Sequence, residues 1–308
     1  MQRVKTGPTR VVKAIFFGNY FYGACTVALS IEAGLQQLYP LNSIIYYALV
    51  FIGTVIYYTR AYLPSHAKDS PNPRTRWYAR NKKAILASQW ILIAMFVLLS
   101  AIYLYRNFEG FLHLPLVNWL LIAFFPVIAV LYYGIDHHFF GRINLRSIGW
   151  LKPFLIGFIW AGSVTVYPII FSGAERGADH YHFSFVGTFL FIKNFMFITV
   201  LCIMFDIKDY AADSNQQIKT FVVNHGLRTT IFRIILPLAA LGLASFLVYA
   251  VARDFRNLRI FINVIPFVLL LVVSYSMHRR QSIMYYLIAI DGLMLVKAAC
   301  GITAMLFF

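Results

Sequence analysis

Acidic residues are scarce: the chain has eleven Asp and Glu among 308 residues, against 27 Lys and Arg. Charge of either sign is scarce as well, at 12% of the chain where soluble domains carry about 25%. That shortage excludes an ordinary water-soluble domain. With 60% hydrophobic residues and a mean hydropathy of +0.71, the chain reads as an integral membrane protein. Cysteine is limited to Cys25, Cys202 and Cys300, all inside apolar runs and without metal-ligand spacing, which excludes a disulfide framework and leaves them as small hydrophobes. A glycine-rich phosphate loop, a nucleophile elbow, a zinc signature and a short-period repeat are all missing. The N-terminus has no short apolar core followed by a small-residue cleavage site, so the first apolar run is expected to be a retained helix.

What is present is a series of apolar runs long enough for a hydrocarbon core of about 30 Å. They fall at 14–35, 43–62, 84–104, 114–134, 153–171, 185–205, 231–251, 260–277 and 284–305. Backbone in lipid must satisfy its own hydrogen bonds, and runs of this length do so as helices. The expectation is an all-α bundle of about nine transmembrane helices forming a single membrane domain over 1–308.

The net charge of +16 could suggest nucleic acid, but the basic residues are placed otherwise. They concentrate in alternate loops: the N-terminus, 68–83, 142–152, 208–228 and 279–280 on one side, with only Arg106, Arg176, Arg253, Arg256 and Arg259 on the other. By the positive-inside rule the N-terminus is cytoplasmic and the C-terminus outside, which in a bacterium would mean the inner membrane, with no nucleic-acid partner. The three arginines at 253–259 are an exception to the alternation.

Three of the eleven acidic residues, Asp206, Asp209 and Asp213, crowd into MFDIKDYAADSNQQIKTF at the cytoplasmic end of the sixth apolar run. On a helix, offsets of three and seven place the carboxylates within about 60° of arc on one face. A helix C-terminus already carries negative dipole, so this face calls for a cation. Mg²⁺ bridging to a substrate phosphate is one answer. A solvated acidic helix end neutralised by Lys208 and Lys219 is the other.

The stretch DIKDYAADSNQQIKTFVVNHG resembles the second aspartate-rich motif of the UbiA family of intramembrane prenyltransferases: Asp206, Asp209 and Asp213, followed by Lys219, Thr220 and Gly226. The loop with Tyr132 and Tyr133, then Arg142, Arg146 and Lys152 leading into KPFLIGFIW, is also similar. The resemblance implies about nine helices, a cavity open to the cytoplasm, and Mg²⁺ on Asp206, Asp209 and Asp213. It further implies a polyprenyl diphosphate donor whose allylic group passes to an aromatic or other lipid-precursor acceptor. Lys219, Arg142, Arg146 and Lys152 would meet the substrate.

The family's first acidic box should fall near TVIYYTRAYLPSHAKDS, where this chain offers Tyr57, Tyr58, Arg60 and Tyr62 and no carboxylate before Asp69. Arg60 is therefore a candidate to replace a metal's charge, since a guanidinium binds phosphate oxygens in a fork, with Tyr57 beside it. Two further readings stay open: a non-catalytic prenyl-lipid-binding relative, and a carrier for an anionic lipid or solute. Among polar residues inside the apolar runs, Asn19 and Asn194 are candidate acceptor contacts. Glu32 and Lys193 lie at similar depth and are placed for a structural ion pair.

Overall fold

The computed structural model describes residues 10–60, 62–63, 72–133, 135–137, 141–143, 145, 148–177, 184–215, 217–278 and 283–308. Of the basic residues that set the expected sidedness, Arg3, Lys5, Lys68, Arg146, Arg279 and Arg280 lie outside these residues. The described chain is helical apart from one hairpin of two three-residue strands, β1 (Ile135–His137) and β2 (Gly141–Ile143), with Asp136 opposite Arg142. It divides into two compact units, residues 1–27 with 42–108, and residues 28–41 with 109–308.

The first unit holds α1 (Arg10–Phe17), the first half of α2 (Tyr20–Gln36), α3 (Ile44–Arg60), α4 (Pro73–Arg80) and α5 (Lys82–Arg106). Between α1 and α2 the chain bends by 60°. Asn19 sits in the bend with φ 66°, a left-handed conformation that Asn tolerates better than most residues. Its amide donates to Thr59 Oγ1 on α3 and to the Tyr78 hydroxyl on α4, both at 3.1 Å, while its carbonyl oxygen accepts from Arg74. Arg74 and Tyr78 in turn donate to the Phe17 carbonyl left exposed by the bend, at 3.2 and 2.8 Å. The Arg74 guanidinium lies 4.1 Å from the centre of the Tyr62 ring, which stacks on Tyr78. Burial pushes the Tyr78 phenol above its ordinary pKa, so it stays neutral and remains a donor. α4 begins at Pro73, with the Asn72 side chain accepting from the Arg74 amide as an N-cap.

The second unit holds the rest: α6 (Phe108–Leu112), α7 (Leu116–Tyr133), α8 (Lys152–Ala161), α9 (Tyr167–Arg176), α10 (Phe185–Asn215), α11 (Phe221–Thr229), α12 (Leu236–Ala252), α13 (Asn257–Ser276), α14 (Ile283–Tyr285) and α15 (Asp291–Phe307). Single π-helical turns at Gly162–Val166, Thr230–Ile235 and Tyr286–Ile290 join α8 to α9, α11 to α12 and α14 to α15 into long spans. The 31-residue α10 is the axis, packed between α8 and α12, and α13 packs on α15.

A charged centre lies in the interior of this unit. Glu32 is wholly buried and receives Lys193 of α10 at 3.0 Å on Oε1 and Lys297 of α15 at 2.5 Å on Oε2. The expected Glu32–Lys193 pair is therefore present, and a second lysine completes it. Gln36, one turn on, donates to Glu32 and to Asn263 of α13 and accepts from Lys193. Tyr249 of α12 donates to the Gln36 carbonyl. Five helices are thus joined through one carboxylate, one side-chain amide and one backbone carbonyl. A side chain at Gly301 would overlap Glu32, so the glycine is what lets α15 come this close.

Six helices are long and apolar enough to cross a membrane, and the bent pair α1/α2 makes a seventh. Runs 43–62 and 114–134 form shorter apolar helices, Ile44–Arg60 and Leu116–Tyr132. The protein is therefore a helical membrane protein with at least six candidate spans among the described residues. The difference from nine arises where an apolar run is broken by a bend or forms one of these two shorter helices.

Candidate functional site

The aspartates lie on one helix, since α10 continues past the apolar run to Asn215. Their surroundings differ. Asp206 is 1% exposed and Asp213 is also buried, whereas Asp209 is partly exposed and pairs with Lys208 at 3.2 Å. Asp206 Oδ1 accepts from Lys152 Nζ at 2.6 Å. Lys152 opens α8, and its ammonium also feels the fields of Asp213 and Asp209. Asp206 Oδ2 is buried and has no hydrogen-bond partner among the described residues. A buried carboxylate oxygen without a donor costs free energy unless a cation or another donor meets it.

Sequence-distant pieces are folded onto this pair. After α10 the chain turns back, with the Ile218 amide donating to the Asp213 carbonyl at 2.9 Å. It then passes so close to Gly149 that any side chain there would overlap the backbone of Lys219 and Thr220. Phe154 on α8 meets Phe221 at the start of α11, ring centres 6.1 Å apart. Thr220 is buried, and its Oγ1, like Oδ2 of Asp206, has no hydrogen-bond partner among the described residues. Lys219 points to the exterior.

Aromatic rings extend from this point in unbroken contact. Phe154 touches Phe195, Phe195 touches Phe158 and Phe191, and Phe158 touches Phe125, with centres 5.4–6.2 Å apart. Phe125 meets Tyr167, and Tyr167 meets Phe171. From Phe154 to Phe171 the ladder climbs about 25 Å at 1.5 Å per residue. The i, i+4 pairs Phe154/Phe158, Phe191/Phe195 and Tyr167/Phe171 are legible in the sequence, but their meeting across helices is not.

The other expected site residues are placed elsewhere. Asn194 donates to Thr165 Oγ1 at 2.7 Å, about 18 Å along α10 from Asp206. Arg142 lies in β2, and Arg146 is outside the described residues. Asn19, Tyr57 and Arg60 belong to the first unit. There Asn19 is committed to the bend, Tyr57 is half-buried against Tyr58, and Arg60 is exposed at the end of α3.

The described residues contain no group of three His, Cys, Asp or Glu close enough to hold a metal ion. Asp206, with its unpartnered Oδ2, fits the more usual way of holding Mg²⁺, on one or two carboxylates with the remaining positions left to substrate phosphate and water. In comparisons with protein-family models, curated proteins and solved structures, none matches the chain.

Proposed function

We propose that the chain is a membrane-embedded transferase that takes a polyprenyl diphosphate and passes the prenyl group to an aromatic or lipid-precursor acceptor. The observation that carries this reading is the Lys152–Asp206 pair, with a carboxylate oxygen that meets no donor among the described residues and with Lys152 two residues before the aromatic ladder begins at Phe154. The nine-span, UbiA-like architecture belongs to the same proposal. It counts the bent pair as one span and the two shorter apolar helices as spans.

In this reading Asp206 fixes the Lys152 ammonium by one oxygen, so the lysine keeps two donors for phosphate oxygens. Lys219, exposed beside it, meets the diphosphate from the water side. Mg²⁺ on Asp206, and on Asp213 or Asp209, would neutralise charge as the allylic C–O bond breaks and diphosphate leaves. The rings from Phe154 upward take the prenyl chain. Their π-faces stabilise positive charge on the allylic carbon and keep water from it.

A second reading has its own observation: α3 ends in Tyr57, Tyr58, Thr59 and Arg60 without a carboxylate, which favours a non-catalytic prenyl-lipid binder. Incubation of purified protein with labelled geranylgeranyl or longer polyprenyl diphosphate, Mg²⁺ and aromatic acids separates the two. The transferase releases diphosphate and forms a prenylated product, and Lys152→Met abolishes both. Saturable binding with no diphosphate release establishes the binder, and absence of binding rejects both readings.

A further inference from the structure

The three arginines that break the charge alternation are gathered in the four-residue turn between α12 and α13 and in the first turn of α13. Arg253 caps the end of α12, Arg256 is the N-cap of α13, and Arg259 follows one turn later. Arg253 answers the negative dipole at the end of α12, but the placement of Arg256 and Arg259 is electrostatically unfavourable. A helix N-terminus carries positive dipole and prefers anions, yet the first turn of α13 has no acidic residue and its N-cap makes no side-chain bond. Asp254, the acidic residue of the turn, forms no ion pair among the described residues.

Two of the guanidiniums are held in place by rings. Arg253 lies over Tyr249, 5.9 Å from its centre, and Arg259 over Phe255 at 5.8 Å. The two rings pack edge to face at 5.8 Å, and Tyr249 is itself anchored to Gln36. The Nε of both arginines is buried, and neither has a hydrogen-bond acceptor among the described residues. Arg256 is exposed and reaches the Phe308 carbonyl at 3.5 Å. Arg253 also donates to the Tyr249 hydroxyl, and a guanidinium anchored at one edge keeps donors for an oxygen-rich anion such as phosphate.

The surroundings narrow the ligand. α12 and α13 are both candidate spans, so their short connection lies at a membrane edge. Exposed apolar side chains flank it: Val251 on α12, Leu258 and Phe261 on α13, and Phe307 at the end of α15. A free anion would gain nothing from these, and an acidic soluble protein would have to cover them. A molecule with a phosphate head and hydrocarbon tails uses both features. We propose that the α12–α13 turn is a binding site for an anionic phospholipid, with its phosphate on Arg253, Arg256 and Arg259 and its acyl chains along the flanking apolar side chains.

The test is native mass spectrometry of the detergent-purified full chain with phosphatidylglycerol or phosphatidylcholine, alongside thermal unfolding. Wild type should retain phosphatidylglycerol in preference to phosphatidylcholine. Arg253→Gln/Arg259→Gln should weaken that retention about tenfold, while Arg106→Gln, which removes an exposed arginine elsewhere, leaves it unchanged. If the glutamine pair does not fold, Arg253→Lys/Arg259→Lys keeps the charge but loses the fork, and a fall of about threefold is expected there. Equal retention of the two lipids by wild type overturns the proposal, as does retention unaltered in both double variants. Stabilisation by inorganic phosphate equal to that by phosphatidylglycerol also overturns it, in favour of a free-anion site.

Discussion

Glu32 and Asp206 are both carboxylates buried in the second unit and both answered by lysine, yet one is closed and the other open. Glu32 has each oxygen taken, by Lys193, Gln36 and Lys297, and the lysines are as buried as the acid. Asp206 has one oxygen on Lys152, whose side chain is 20% exposed, and the other meets no donor among the described residues. Charges taken out of water are tolerated when their lone pairs and protons are satisfied. The closed centre meets that condition inside the protein and ties helices together. The open one does not, and that makes it the candidate for a ligand.

The largest expected effect is at the closed centre. Glu32→Gln leaves two ammonium groups in the interior without a countercharge and should cost about 3 to 5 kcal/mol of stability, read from thermal unfolding in detergent. A loss below about 1 kcal/mol would mean that the centre does not hold the helices, and the contrast with Asp206 would collapse.

Asp206→Asn should show the opposite balance. Its direct cost is only about 1 to 2 kcal/mol, because Lys152 can turn toward water. Prenyl diphosphate at a hundred times its Kd should stabilise wild type by about 2.7 kcal/mol, more with Mg²⁺ than with EDTA, and the variant should lose most of that gain. Equal stabilisation with and without Mg²⁺ in wild type would remove the metal while leaving diphosphate binding in place.

Gly301→Ala sharpens the comparison without touching a charge. The added methyl meets Glu32 and forces α15 outward, for about 1 to 3 kcal/mol. Melting curves should show that loss with the ligand response at Asp206 intact. A neutral result would show that Glu32 tolerates a looser fit than its geometry implies.

The smallest effect concerns the ladder. Phe158→Leu keeps most of the apolar volume but removes four ring contacts, each worth about 0.5 to 1.5 kcal/mol. Affinity for long-chain diphosphates should fall by several-fold, with little change for a short-chain analogue. Equal weakening for both chain lengths would place the tail elsewhere.

Composition and run length alone determined that this is a helical membrane protein, because a chain so poor in charge has no other way to satisfy its backbone in lipid. Local spacing also placed Asp206, Asp209 and Asp213 on one helix, since helix periodicity is a property of neighbouring residues. Even the Glu32–Lys193 pair was legible, from equal depth along two spans. What depth could not give was rotation about each helix axis. That rotation brings Lys297 to Glu32 and Lys152 to Asp206. It also sets Asn194 against Thr165 and leaves Asp209 half outside. Asn19 was similarly out of reach, because its partners Thr59, Arg74 and Tyr78 are 40 to 59 residues away and meet it only through a bend. Which buried charge is sealed and which is left an open oxygen depends on contacts between distant helices, and only the tertiary structure decides it.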